Sequence, residues 1–241
     1  VLRAFADGRL FGEQYGDGTP WVVALHGWRR THADFEAVLG GLDALAFDLP
    51  GFGATPPPPE PWGSAEYAAA VAEAMPGPAV ILGHSLGGRV AVHLAAQRPD
   101  LVRALVLTGA PLLRAPGHEG TRPALRYRVG RALNRAHLLS EARMEALRQQ
   151  YGSEDYKAAQ GVMRAVHVRI VNERYGDVLT RLQCPVELVW GDDDTAAPLA
   201  VAEELAGRLA GANLVVCPGA GHLTPATVPG ELRAAVERHR P

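Results

Sequence analysis

The chain has 241 residues, 47% apolar, 21% charged and 6% aromatic, a composition that excludes fibrous, collagenous and largely disordered classes. A formal net charge of −2 gives no basic field for counterion release, so nucleic acid is excluded as the expected partner. No apolar run reaches the roughly 18–20 residues of a membrane span, and Val1–Gly8 has no secretory apolar region, so the expectation is a cytoplasmic protein with no membrane partner.

In chain order, Leu2–Phe5 and Arg9–Gln14 flank Asp7-Gly8, a type I′ turn signal, and predict an antiparallel hairpin. Near-continuous apolar runs follow at Trp21–Leu25, Ala44–Phe47, Ala79–Leu82, Ala104–Leu107, Val186–Trp190 and Leu214–Val216, as strands covered on both faces require. Helical patterns at Glu66–Met75, Leu86–Arg98, Leu199–Leu209 and Glu231–Arg238 alternate with them. The fold class is therefore α/β, a mostly parallel, doubly wound sheet led by a hairpin. Pro56–Pro59, with Pro61 beyond, reads as a stiff surface loop.

From 114 to 181 no strand pattern occurs; helical patterns lie near Arg122–His137, Glu141–Tyr151 and Ala158–Arg174. The division this implies is a core of residues 1–113 and 182–241, with 114–181 as a helical cap inserted between them. The inserted stretch holds 13 Arg/Lys against 7 Asp/Glu, the remainder 11 against 19. A basic cap on an acidic core is either a solvated helical surface or an attractor of anionic substrates or an acidic carrier protein.

The chemistry concentrates at Ala79-Val80-Ile81-Leu82-Gly83-His84-Ser85-Leu86-Gly87-Gly88, a strand passing through Gly-x-Ser-x-Gly into a helix. A serine on so sharp a turn is presented at the carboxyl edge of the sheet, and only small residues two positions either side let the turn close. A serine nucleophile needs a base, and the base needs an orienting carboxylate. Of nine histidines, His222 stands on the Gly-rich loop Gly219-Ala220-Gly221 after the last strand, at the same edge as Ser85. Carboxylates follow the preceding strand at Asp192, Asp193 and Asp194. Cys184 and Cys217, each followed by proline, read as free, buried or half-buried thiols without a patterned base.

These motifs and their order resemble the α/β-hydrolase superfamily, over nearly the whole chain. Its acid commonly falls three residues after such a glycine and four before a proline, spacings that Asp194 meets from Gly191 and to Pro198. The resemblance implies a triad of Ser85, Asp194 and His222, in the family's chain order. It also implies an oxyanion hole built from the amides of Leu86 and, through Leu25-His26-Gly27-Trp28, of Trp28. His26 then reads as a loop anchor, and Asp48, in Asp48-Leu49-Pro50-Gly51-Phe52-Gly53, as a structural hydrogen-bonding residue. No metal and no cofactor is implied. Arg29 and Arg30 stand where relatives often carry small residues, and either meet an anionic substrate or face solvent. Trp28, Arg29, Leu86, Tyr127, Met144, Tyr151, Met163 and Leu223 are the candidate pocket residues.

The function expected is hydrolysis of a small carboxylic ester through an acyl-enzyme. A second reading is a lyase, or a carbon–carbon or thioester hydrolase, on an anionic or carrier-bound substrate: the chain also resembles the menaquinone-pathway synthase and the carrier-protein methyl ester esterases of biotin synthesis. In that reading Arg89 could add a carboxylate contact. A third is a non-catalytic binding member of the superfamily.

Overall fold

The computed structural model describes residues 2–113, 129, 130, 132–134, 136, 138–151 and 154–241. Strands β1 (Leu2–Phe5) and β2 (Leu10–Tyr15) pair antiparallel, from Leu2 opposite Glu13 to Phe5 opposite Leu10. Their connection is longer than the two-residue turn that Asp7-Gly8 suggests. Four residues separate the last pair, and Ala6, Asp7 and Gly8 all take positive φ, at 48°, 56° and 81°.

Strands β3 (Val22–Leu25), β4 (Ala44–Asp48), β5 (Ala79–His84), β6 (Val102–Thr108), β7 (Val186–Gly191) and β8 (Asn213–Cys217) complete one eight-stranded sheet, in the order β1-β2-β4-β3-β5-β6-β7-β8. β2 meets β4 antiparallel; every later pairing is parallel. The expected mostly parallel sheet with a leading hairpin therefore forms.

Between the strands run helices α1 (Ser64–Ala74), α2 (Leu86–Gln97), α3 (Glu141–Tyr151), α4 (Gly161–Val171) and α5 (Leu199–Arg208), and α6 (Pro229–Glu237) follows the last strand. Pro76 stops α1 and Pro99 stops α2, because proline lacks the N–H the next turn needs. Alternate residues of each strand feed opposite layers. Ile81, Leu105 and Leu188 join Tyr67, Val90 and Leu205 on one face, whereas Val80, Val106 and Val189 join Phe35, Leu232 and Val236 on the other. Each such side chain contributes about 1.5–3 kcal/mol by leaving water.

Among the described residues, the stretch between β6 and β7 consists of helices joined by turns and holds no strand. The predicted helix at Ala158–Arg174 is shorter than the pattern suggests, α4 starting only at Gly161 after a separate turn at Glu154–Ala158. Most of the pattern at Arg122–His137 lies outside the described residues; 129, 130 and 132–134 are helical. Polar contacts fasten the carboxyl end of this stretch to the sheet domain. The Ser64 amide and hydroxyl donate to Glu173 at 2.8 and 2.6 Å, Arg169 donates to the Pro61 carbonyl at 2.7 Å and pairs with Glu66, and Arg89 donates to the Ile170 carbonyl at 2.6 Å.

β3 lies between β4 and β5, so the chain leaves β3 in one direction and returns on its other side. Such a reversal opens a crevice beyond the carboxyl ends of the strands, where open α/β sheets bind ligands. The loop after β3 begins at His26 and the turn after β5 at Ser85, and the last β3–β5 pair, Leu25 with Gly83, lies one and two residues before them. Sheet order alone brings the two loops together.

Candidate active site

Ser85 takes φ 52° and ψ −109°, a positive-φ conformation unusual for a residue with a side chain. The turn survives because its neighbours have no Cβ. One on Gly87 would stand 1.8 Å from the Leu25 carbonyl oxygen, and one on Gly83 2.6 Å from Gly88 Cα. The Ser85 amide donates to the Thr108 carbonyl at 3.0 Å, tying the turn to β6.

His222 Nε2 stands 3.1 Å from Ser85 Oγ, and its Nδ1 stands 2.8 Å from Asp194 Oδ2. Asp194 is buried, with its other oxygen accepting the amides of Ala196 and Ala197 at 2.9 and 2.8 Å. The loop is pinned again where Trp190 Nε1 donates to the Ala197 carbonyl at 2.7 Å. Asp192 Oδ1 accepts the Gly219 amide at 2.7 Å, and the Asp193 amide donates to the Ala220 carbonyl at 3.0 Å, so the Asp194 and His222 loops are stitched together. Gly109, at φ 55°, passes beneath both; a Cβ there would meet the His222 ring at 3.1 Å and Asp194 Oδ2 at 3.2 Å.

Among the described residues, neither the Trp28 amide nor the Leu86 amide has a protein acceptor, and each lies three residues beyond its member of the last β3–β5 pair, Leu25 with Gly83. His26 is fully buried; its Nε2 accepts the Leu49 amide at 2.9 Å, so its Nδ1 carries the proton donated to the Gly27 carbonyl at 2.7 Å. Burial pushes its pKa down to about 4. Asp48 accepts from the His32 amide and ring, both at 2.8 Å, and from the Ala54 amide at 2.9 Å. Both residues brace loops away from the Ser85 hydroxyl.

The other candidates separate. Trp28, Arg29 and Met163 line one cavity of about 310 Å3 with Phe52 and Ala159. Trp28 packs edge-on against Phe52 and against His167 of α4, each at 4.9 Å between ring centroids. Met144 is buried on α3 and lines none of the described cavities, so it packs the helical stretch. Leu223 is exposed beside His222. Tyr127 and the Tyr151 side chain lie outside the described residues. Arg29 faces Asp155 at 3.7 Å, and Arg30 is held by Asp34 through contacts of 2.7 and 2.5 Å. Arg89 donates to Ile170 and lies over the Tyr175 ring at 5.6 Å. Sequence patterns gave no sign of the roles of His167 and Gly109, whose partners lie far along the chain, and Asp192, one of the three candidate carboxylates, ties the Gly219 amide instead. Among the described residues no group of three or more His, Cys, Asp or Glu side chains is arranged to hold a metal ion. Cys184 and Cys217 are unpaired, and burial pushes both thiols up.

A family model described as "Alpha/beta hydrolase family" matches residues 22–235. The chain belongs to the alpha/beta hydrolase family. It is 33% identical over 236 residues to pimeloyl-[acyl-carrier protein] methyl ester esterase of Chromobacterium violaceum, covering 88% of this chain and 91% of that protein. The enzyme of the same name from Neisseria meningitidis serogroup B (strain MC58) is 32% identical over 226 residues, covering 86% and 87%. Among solved structures, an esterase from Exiguobacterium antarcticum superposes with a TM-score of 0.73 at 21% identity, covering 99% of this chain and 98% of that one. That last likeness is one of fold. No described helix of this family member is long and apolar enough to cross a membrane.

Proposed function

We propose that this alpha/beta hydrolase cleaves carboxylic esters through an acyl-enzyme formed on Ser85. The observation that carries the reading is the continuous relay from Ser85 Oγ through His222 to Asp194, at 3.1 and 2.8 Å. His222 takes the serine proton as Oγ attacks the ester carbonyl, and Asp194 fixes the ring and favours its protonated form. The carbonyl electrons move onto oxygen, where the Trp28 and Leu86 amides are free to donate. Collapse of that intermediate expels the alcohol, which takes the proton from His222. Water then attacks the acyl group with His222 again as base, releasing the acid and restoring Ser85.

In this reading the inserted stretch 114–181, whose described part carries α3 and α4, is a cap over the site. Its fastening through Glu173, Arg169 and Arg89, and the contact of His167 with Trp28, support a lid resting on the loop that supplies one oxyanion donor.

The substrate class has two sources. A small neutral ester is one, and the cavity of Trp28, Phe52 and Met163 beside the expected oxyanion loop supports it. The names of the Chromobacterium and Neisseria relatives, together with the excess of Arg in 114–181, favour an ester carried on an acidic carrier protein. Turnover of p-nitrophenyl acetate, butyrate and octanoate by the parent and by Ser85→Ala, at low and high salt, tests the reading. Serine-dependent turnover is expected; folded Ser85→Ala with parent activity would overturn it. Salt-insensitive turnover of all three esters points to small neutral substrates. A carrier-linked methyl ester whose turnover falls steeply with salt points to the carrier.

A further inference from the structure

His84 immediately precedes the nucleophile and is almost fully buried. Its Nε2 stands 2.8 Å from the main-chain carbonyl oxygen of His222. A carbonyl only accepts, so Nε2 carries the proton and Nδ1 is left as a bare lone pair. That Nδ1 is buried and has no protein partner. The two imidazoles stand 5.0 Å apart between centroids. On its other side the His84 ring closes over Gly27, where a Cβ would lie 3.0 Å from Nδ1 and 3.1 Å from Cε1. The ring of the residue before Ser85 thus touches both the turn that leads to Trp28 and the loop that holds His222.

An unsatisfied buried polar atom costs about 1–3 kcal/mol, and an apolar side chain of similar volume would fill the same space without that cost. What the apolar side chain lacks is the donor to His222. Among the described residues, no other group holds the His222 main chain by a hydrogen bond. Burial, with neighbouring His222 acting in the same direction, pushes the His84 pKa down to about 4, so the ring is neutral when the site works near pH 7.

We propose that His84 is a positioning residue, whose Nε2–H grips the His222 carbonyl and so sets the base against the Ser85 hydroxyl. The proposal rests on the roles given above to Ser85 and His222. It acts on the rate of the serine step and not on substrate affinity, because the His84 ring is almost fully buried and presents no surface for a substrate to touch.

The test compares His84→Leu, His84→Gln and His84→Asn, each scaled to the amount of serine titrated by a fluorophosphonate. A Gln amide nitrogen reaches the position of Nε2, an Asn one only that of Nδ1. With p-nitrophenyl butyrate, His84→Leu is expected to lose about tenfold or more in kcat with KM within about threefold, and to react with the fluorophosphonate more slowly by a similar factor. His84→Gln is expected to recover most of that loss, and His84→Asn is not. A loss below about tenfold in His84→Leu, or equal losses in the Leu and Gln variants, overturns the proposal in favour of simple packing. If His84→Leu does not fold, the comparison of Gln with Asn decides alone, equal rates overturning it. Ser85→Ala separates the two levels: full activity there removes the site itself, whatever the His84 variants do.

Discussion

His222 Nδ1 and Asp194 Oδ2 stand 2.8 Å apart, and Asp194 has committed its second oxygen to the amides of Ala196 and Ala197. The carboxylate is therefore fixed in rotation before any substrate arrives. Asp194→Asn is expected to keep the fold and lose about 10³–10⁴-fold in kcat, since an amide can present its N–H where an acceptor is needed. Asp193→Asn, whose carboxylate makes no contact with His222, is expected to stay within about threefold. Steady-state kinetics on one ester, with circular dichroism as the fold check, measures both.

Gly109 predicts a different defect. Its φ of 55° costs any L side chain about 1–2 kcal/mol, and an added methyl would press on the His222 ring at 3.1 Å. Gly109→Ala is expected to lower Tm by a few degrees while lowering kcat by about tenfold or more, because a small misplacement of the base is costly. An unchanged kcat at lowered Tm would show that the ring has room to move.

Arg29 distinguishes the two substrate sources. It is exposed, and its contact with Asp155 at 3.7 Å is a loose surface pair contributing about 0–1 kcal/mol to stability. Arg29→Ala is therefore expected to unfold at the parent temperature. If the substrate is anionic or carrier-linked, the variant is expected to lose about fivefold in kcat/KM on it, the difference shrinking at high salt, with p-nitrophenyl butyrate unaffected.

Burial lowers the pKa of His26, His84, His93 and His167, the first two furthest, and these two contribute most to the pH dependence of stability. His26 and His84 have folded pKa values pushed from 6.5 to about 4, so between those values the unfolded chain binds protons that the folded chain refuses. Stability is then present in full above about pH 6.5 and falls as the pH drops toward 4. Urea unfolding at pH 7.0 and 5.5 is expected to show a loss of about 2 kcal/mol, with His26→Gln losing about half as much across the same interval. A flat profile would mean that the folded chain admits the protons.

Ser85 was legible because its constraint is local: Gly83 and Gly87 are demanded by contacts within a few residues or with the neighbouring strand. The strands were legible for the same reason, since burial on both faces of β5 is written into six consecutive residues. Asp194 and His222 were reached through chain order and spacing, which the shared motifs supply. His84 was passed over because its partner carbonyl is 138 residues away and the glycine it packs against, Gly27, is also remote in the chain. Arg30 looked available to substrate because sequence does not show a side chain turning back to Asp34. Arg89 was equally opaque, its acceptor on Ile170 belonging to a helix 81 residues on.

The pairing of β3 with β5, from Val22–Val80 to Leu25–Gly83, imposes a length rule on evolution. One residue added to either strand would slide the Trp28 amide past that of Leu86 by about 3.3 Å, more than a hydrogen bond tolerates. Side chains on these two strands can drift among Val, Ile, Leu and Ala while the number of residues cannot. Insertions and deletions among homologues should accumulate after Leu113 and in the proline-rich loop, leaving residues 22–28 and 80–88 as a gapless frame.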